Sequence, residues 1–567
     1  MSIRIVMKRN SATRILGAAL FAASLSANAE SGKEWTMYGG DYANTRYSAL
    51  SDINTKNVDK LRISWIRSLG TLESQVATPL VVGDTMYVNT ALGPRYVYAL
   101  NAKDGSIKWK YEPELPRDFM ATVCCGMGHR GVAYADGRVF VTRLDAKFVA
   151  LDAATGKELW SKTVMDYKKG HAITSPPLIV KNLVITGFAG GDYGVRGALQ
   201  AYRQDTGELV WKTHTIPEPG EPGFETWKGE SWKTGGGTLW NVGSYDPKLN
   251  LVYWGTSNAG PWGGHTRGND SSDIGPYTNL HTASQLAFDA DTGKIVWHYQ
   301  MTPAEVWDFD GVNEAILADM SIGDQKVSTL MKADRNGFFY VLDRKDGKLI
   351  SAQPFVNVNW AKGIDKTTGR PIEDPAKRPR LNKMAKDVCP NFFGGKNWEP
   401  MSYSPQTGLV YIPTNNMCMD IVGKEQGFEV GKFYLADEFN ADKAGEGGSL
   451  GEMTAWDPVK QQRVWGIKAD VPMIGGAMST AGGLVFYGDP YGILKAVDAK
   501  SGAILWTFNV GSGMAQSPIT YVVDGKQYLA VVAGRIKGPP SFFGKIGEKV
   551  VNASPEGGIV AVFELGR

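Results

Sequence analysis

The sequence predicts an all-β fold, a β-propeller with tryptophan-docking repeats. Three observations predict it: a recurring strand–turn–strand segment, a regular spacing between copies, and a composition suited to tight turns. The segment is an apolar strand, an Asp or Asn, a turn ending in Gly, and a strand ending in Trp. Copies run from Tyr98 to Trp109, Ala150 to Trp160, Ala201 to Trp211 and Ala287 to Trp297, and two more end at Trp465 and Trp506. A copy from Val341 to Ile350 lacks the Trp. Trp109, Trp160 and Trp211 lie 51 residues apart. Such a period marks a repeat architecture. The Gly supplies the positive φ of a hairpin turn, and the Asp accepts local backbone bonds. Trp offers a flat face and one donor, so it can stack between sheets and still find a partner. Four-stranded sheets at this spacing read as propeller blades. A solenoid is the alternative; the polar turns and the 68 Gly in 567 residues favour blades. The strand at 558–565 has no turn after it, and pairing with the segment at 61–65 would close the ring and remove an exposed edge.

Composition excludes other classes. A chain 43% hydrophobic is too apolar for disorder. Residues 1–29 read as a signal peptide: a basic start (Arg4, Lys8, Arg9, Arg14), an apolar run at 15–25 and a small-residue site at Ala27-Asn28-Ala29. The alternative, a membrane anchor, needs a longer apolar run. Beyond this leader no apolar run reaches the ~18 residues of a membrane span. Removing the four positive charges takes the formal charge from +3 to −1, which gives no sign of nucleic-acid binding. Residues 30–567 are expected to form a single propeller domain, exported to the periplasm, where cysteines oxidise.

Four segments offer chemistry. Adjacent Cys124 and Cys125 read either as a strained disulfide or as two buried thiols, and in an oxidising compartment the disulfide is preferred. Cys389 and Cys418 then form a second pair. Trp307-Asp308-Phe309-Asp310-Gly311 sets two carboxylates on one side of an extended segment, a solvated loop being the alternative. Two like charges held close need a cation or a proton between them. The Gly-rich stretch 190–197, with Asp192, exposes backbone to a ligand or simply turns a blade. In Trp254-Gly-Thr-Ser-Asn258-Ala-Gly-Pro-Trp262 an amide oxygen sits beside aromatics. With Asp192 and Asp308, Asn258 would suit a hard cation. The histidines show no zinc spacing, and no Gly-x-Ser-x-Gly elbow is present.

Taken together, these motifs resemble the pyrroloquinoline quinone (PQQ)-dependent alcohol dehydrogenases, which include methanol dehydrogenase large subunits and quinoprotein ethanol dehydrogenases. The resemblance begins at Trp35-Thr-Met-Tyr-Gly-Gly-Asp-Tyr-Ala-Asn-Thr-Arg-Tyr47. It continues through Cys124-Cys125, Arg130, Thr174, the Gly-Val-Arg-Gly after Asp192, and Gly236-Gly-Thr-Leu-Trp240. It ends at Gly475-Gly-Ala and Gln516-Ser-Pro-Ile-Thr-Tyr. It implies eight blades with PQQ at the axis. Carried over residue by residue, Cys124–Cys125 would lie on one face of the quinone and Trp240 on the other. Arg130, Thr174, Gly190, Gly191, Thr238, Asn397 and Trp398 would contact the cofactor, and Arg335 would reach its reactive oxygens. Asp192, Asn258 and Asp308 match the family's metal positions.

The resemblance also implies a reaction. Asp308 would act as base while a hydride passes from an alcohol to metal-activated PQQ, giving an aldehyde or ketone. Electrons would pass to a cytochrome c, and a homodimer is implied. In this family an acid two residues after the catalytic Asp marks lanthanide-dependent members, so Asp310 favours a lanthanide(III) ion over Ca²⁺. Three carboxylates also balance a trivalent ion better than a divalent one. Three positions depart from the family pattern: Asp192 stands for the usual Glu, Val76 for a Glu and Ile474 for a Trp. Two other readings stand beside this one. The first is a Ca²⁺-dependent member acting on a bulky secondary alcohol or a polyol. The second is a non-catalytic propeller scaffold, which would not need Cys124-Cys125, Arg130, Asp308 and Arg335 together. The segment 217–233, with Trp227 and Trp232, is expected to help form the entrance.

Overall fold

The computed structural model describes residues 33–72, 74–271 and 274–566. The leader expected over 1–29 lies outside them. The described residues form seven four-stranded sheets and one five-stranded sheet, with two smaller sheets beside them. The all-β propeller expectation is therefore met, with eight main sheets. Blade 1 spans residues 80–111, blade 2 133–163, blade 3 178–214 and blade 4 244–300. Blade 5 spans 316–354, blade 6 402–469, blade 7 477–509 and blade 8 519–565.

Blade 8 takes its fourth strand from the other end of the chain. Leu61–Ser68 pairs antiparallel with Ile559–Leu565, from Leu61 opposite Leu565 to Ser68 opposite Ile559. This is the closure that the bare terminal strand predicted. The segment before it ties the ring together. Its backbone bonds blade 8 through Lys33, blade 1 through Trp35 and blade 4 through Tyr42. Ala43, Thr45 and Arg46 reach blades 5, 6 and 7.

The repeated Trp does what its chemistry suggests. Trp65, Trp109, Trp160, Trp211, Trp297 and Trp465 each donate Nε1–H to a carbonyl of the next blade's outer hairpin, at 2.9–3.3 Å. The ring of each covers the Gly of that hairpin. At Gly293 (φ +71°) an added Cβ would lie 2.4 Å from the Trp211 ring. The Gly is therefore required twice, by its conformation and by the ring above it. The two gaps in the pattern have causes. In blade 5 Ser351 stands four residues after Gly347, and the facing hairpin of blade 6 carries Gln461 instead of Gly. Blade 8 has no outer hairpin, so Trp506 packs edge-on against Phe563, centroids 5.5 Å apart.

Antiparallel order sorts the loops. First-to-second and third-to-fourth turns fall at one end of the ring. Second-to-third turns and blade-to-blade connections fall at the other. The Trp-docking hairpins lie at the first end. The second end is free for binding groups. Among the described residues there is one α-helix, Gly544–Val551, and no helix long and apolar enough to cross a membrane.

Trp297 is buried, donates to Arg344 O and covers Gly347. Trp297→Ala is expected to cost ~3–5 kcal/mol, as for other large-to-small core changes. Urea unfolding followed by Trp fluorescence should show a lower midpoint; an unchanged midpoint would refute the docking role.

Candidate functional site

Every site residue singled out above lies at the second end of the ring, on a second-to-third turn or a blade-to-blade connection. Cys124, Cys125, Arg130 and Thr174 come from the connections flanking blade 2, and Gly190, Gly191 and Asp192 from the inner turn of blade 3. Thr238 and Trp240 precede blade 4, Asn258 follows its second strand, and Asp308 and Asp310 leave it. Arg335 sits in the inner turn of blade 5, and Asn397 and Trp398 lead into blade 6. All of them line one cavity, whose empty space including its mouth is about 1150 Å³.

The polar floor centres on Arg335. Its guanidinium donates to Asp308 Oδ2 at 3.1 Å and to Asn397 Oδ1 at 3.2 Å, and it pairs with Asp310 Oδ2 at 2.9 Å. Asp310 also accepts from Asn258 N–H at 2.6 Å and from Trp240 Nε1–H at 3.1 Å. Asp192 accepts from Trp262 Nε1–H at 3.0 Å. The carboxylates outnumber their cations. Burial holds Asp308 well above the ordinary range; Arg335 pulls against this, and Asp310 and Asp192 add to it. Burial and the Asp310 charge push Asp192 up to about 6. Asp310 is raised by burial against Arg335. A cation held among these groups would relieve all three.

The loop that carries the aspartates is held from behind. Glu305 accepts from Phe309 N–H at 2.8 Å, and the buried Lys332 ammonium donates to Gly311 O. Asp308 takes φ +62°, in the left-handed region that Asp and Asn enter more readily than other non-Gly residues.

The cysteines pair as Cys124–Cys125 and Cys389–Cys418. The sulfurs of Cys124 and Cys125 and a carboxylate oxygen of Asp192 lie within 4.8 Å of one another. As a disulfide, the two sulfurs are not thiolate metal ligands. At Gly190 (φ +127°) a Cβ would lie 2.3 Å from Gly170 O, so only Gly fits that turn.

Several groups in the cavity are left without a partner by the protein itself. Arg130 is buried, and burial lowers its guanidinium to about 10. It donates to the carbonyls of Thr174 and Trp240, both at 3.3 Å, and lies 4.7 Å over the Trp240 ring. No carboxylate among the described residues lies within ion-pair distance of it. Among the described residues Arg130 Nε, Arg335 Nε and Trp398 Nε1 have no hydrogen-bond partner. A buried cation without a counter-ion is costly. A flat, polycarboxylate cofactor would supply what Arg130 lacks, so these residues fit PQQ.

Sequence reading missed the cavity's apolar side. Phe392 and Phe393, Phe433 to Phe439, and Ile536 to Phe542 reach it from three excursions. Nothing in their spacing separates them from core residues. The expected entrance at 217–233 is a correction: none of that segment lines the cavity. Trp227 is buried, with its Nε1–H on Leu280 O at 2.6 Å, and Trp232 packs edge-on against Phe224. Of the departures, Val76 lines the cavity, while Ile474 is packed in the same apolar cluster as Trp398.

Residues 35–360 and 447–529 match the family model for the PQQ glucose/ethanol/alcohol dehydrogenase β-propeller domain. The chain is 46% identical over 525 residues to a lanthanide-dependent methanol dehydrogenase of Methylacidiphilum fumariolicum, covering 88% of this chain and 84% of that one. It is 41% identical over 544 residues to the quinoprotein alcohol dehydrogenase PedH of Pseudomonas putida, covering 92% and 89%. A solved europium-containing methanol dehydrogenase superposes with a TM-score of 0.89 at 43% identity, over 94% of this chain and 98% of that one. The chain belongs to the PQQ-dependent alcohol dehydrogenase family and is an enzyme of that class.

One pH effect follows from the loop behind Arg130. The His129 ring is buried; its Nδ1 accepts from Asn89 at 3.2 Å and its Nε2 lies 2.7 Å from Thr142 Oγ1, which itself donates to Ser175 O. Protonation would set two donors face to face. Burial, then the Arg130 charge, pushes its pKa down to about 3. A base with a depressed folded pKa contributes fully above its unfolded value, ~6.5, and loses that contribution as pH falls toward the folded value. Between pH 7.5 and 5, wild type is expected to lose ~2 kcal/mol relative to His129→Gln. Urea midpoints measured across that range check this; parallel curves would refute it.

Proposed function

We propose that the protein is a periplasmic alcohol dehydrogenase working with PQQ and a lanthanide(III) ion, and passing its electrons to a cytochrome c. The observation that carries this reading is the set of three buried carboxylates, Asp192, Asp308 and Asp310, gathered around Arg335. Three carboxylates with the Asn258 amide oxygen form a hard, oxygen-only donor set. Their summed charge balances a trivalent ion. Calcium is the alternative ion, with Asp310 then serving only to hold Arg335 and Trp240.

Bound PQQ would supply a hydride acceptor and the metal a Lewis acid. The chain's residues do the rest. Asp308 takes the hydroxyl proton of the alcohol, its carboxylate held in place by the Arg335 guanidinium. Arg335 stays charged beside Asp308 and faces developing negative charge on oxygen. Trp240 would give one face of the cofactor an aromatic platform, and Cys124–Cys125 would cover the other. Arg130, Thr174, Gly190, Gly191, Thr238, Asn397 and Trp398 bind the cofactor's rim. Residues 1–29 are the export signal, residues 30–567 act as a single propeller, and the chain works as a homodimer.

A dye-coupled assay with PQQ and either La³⁺ or Ca²⁺ tests the metal. Activity is expected with La³⁺, falling at least ~100-fold in Asp310→Ala and at least ~10³-fold in Asp308→Asn. Activity with Ca²⁺ alone would refute the lanthanide assignment and keep the enzyme class. Arg130→Gln is expected to weaken PQQ binding ~10–100-fold, as loss of a charge-assisted hydrogen bond implies. Titration of PQQ absorbance checks this, and unchanged affinity would remove Arg130 from the cofactor site.

A further inference from the structure

The proposed metal ligands come from three stretches of chain, and their mutual spacing has to be fixed by something outside the cavity. Asp192 sits on the inner turn of blade 3, Asn258 follows the second strand of blade 4, and Asp308 and Asp310 follow its last strand. Behind the two blade 4 stretches lies Arg267, which is wholly buried and does not line the cavity. Its Nε donates to Pro261 O at 2.9 Å and its Nη1 to the Asn279 amide oxygen. Its Nη2 donates twice, to Trp262 O at 3.0 Å and to Glu305 O at 2.7 Å. One planar guanidinium thus holds residues 261–262 against residue 305.

Each end of that bridge continues to an aspartate. On one side the Trp262 indole N–H lies on Asp192 Oδ1 at 3.0 Å. On the other, the buried Glu305 folds its side chain back along the loop. One oxygen, Oε1, accepts from both Trp307 N–H (2.5 Å) and Phe309 N–H (2.8 Å), the residues on either side of Asp308. The other oxygen, Oε2, has no partner among the described residues. The bonds of Arg267 end on carbonyl and amide oxygens, not on a carboxylate, which is an unfavourable way to bury a charge for stability alone. What the guanidinium does supply is a set of donors at fixed angles in one plane. We propose that Arg267 and Glu305 are positioning residues that set the spacing between Asp192 and Asp308, and with it how closely the protein encloses the metal ion. This rests on the metal-dependent reading above and adds to it two residues that do not line the cavity.

The test uses the full-length protein loaded with PQQ, with Eu³⁺ as the probe ion. Eu³⁺ luminescence gives a dissociation constant, and its decay in H₂O against D₂O counts the waters left on the ion. Arg267→Met and Glu305→Ala should each weaken Eu³⁺ binding ~10–100-fold, the usual effect of removing a partner that orients a ligand. Each should also add about one water to the ion, as a ligand drawn away leaves a place for it. Arg267→Lys keeps the charge without the fork and should do no better than Arg267→Met. Glu305→Gln keeps an accepting oxygen for both amides and should stay within ~3-fold of wild type. Trp297→Ala, destabilised at the far end of the ring, should hold Eu³⁺ as wild type does, which separates positioning from a general loss of stability. Should the Arg267 variants fail to fold, the two Glu305 variants decide. Wild-type affinity and hydration in Glu305→Ala would overturn the inference and leave the metal-dependent reading standing. So would an equal loss in Glu305→Gln or in Trp297→Ala. Failure of the wild-type protein to hold Eu³⁺ would overturn that reading and this inference with it.

Discussion

Three carboxylates share one buried space with a single close guanidinium, and the rest of the site is arranged around that imbalance. A carboxylate out of water is tolerated only when cations or donors face it. Arg335 is pulled between Asp308 and Asp310, while Trp240, Trp262 and the Asn258 amide supply donors to whatever charge is left over. Lys332 and Glu305 hold the loop that carries the aspartates from the side away from the cavity. Groups this strained electrostatically do not assemble for stability. They mark a place where a cation and a reacting proton are handled.

The propeller makes that arrangement affordable by separating its two jobs in space. Stability is concentrated in the blades and in the Trp-on-Gly contacts at one end of the ring. The other end is left to turns and connections from several blades, all aimed at the axis. The site residues arrive on turns and connections of several blades, so few of them need a special local structure beyond the turn they sit on. Asp308 and Cys125, both at positive φ, are the exceptions, and both line the cavity.

This division also explains what could be read from the sequence. The repeat was legible because its turn chemistry is local: an Asp, a Gly and a Trp at fixed offsets. The reason for the missing Trp at Ser351 was not, since Ser351 and Gln461 explain each other only when blades 5 and 6 are set side by side. The polar site residues were legible because buried charge in a short motif is unusual, as in Trp307-Asp308-Phe309-Asp310. The apolar mouth was hidden, since Phe392, Phe439 and Phe542 are far apart in the chain and look like any core residue. Trp227 and Trp232 misled for the same reason: an aromatic near a functional segment signals burial as readily as an entrance.

The pairing of Leu61–Ser68 with Ile559–Leu565 has a consequence for how the molecule is made. The strand synthesised early has no sheet partner until nearly the whole chain has emerged. Until then blades 1 and 7 face a gap, and two strand edges are open to any passing β-segment. Premature termination anywhere before residue 559 would leave that gap permanent.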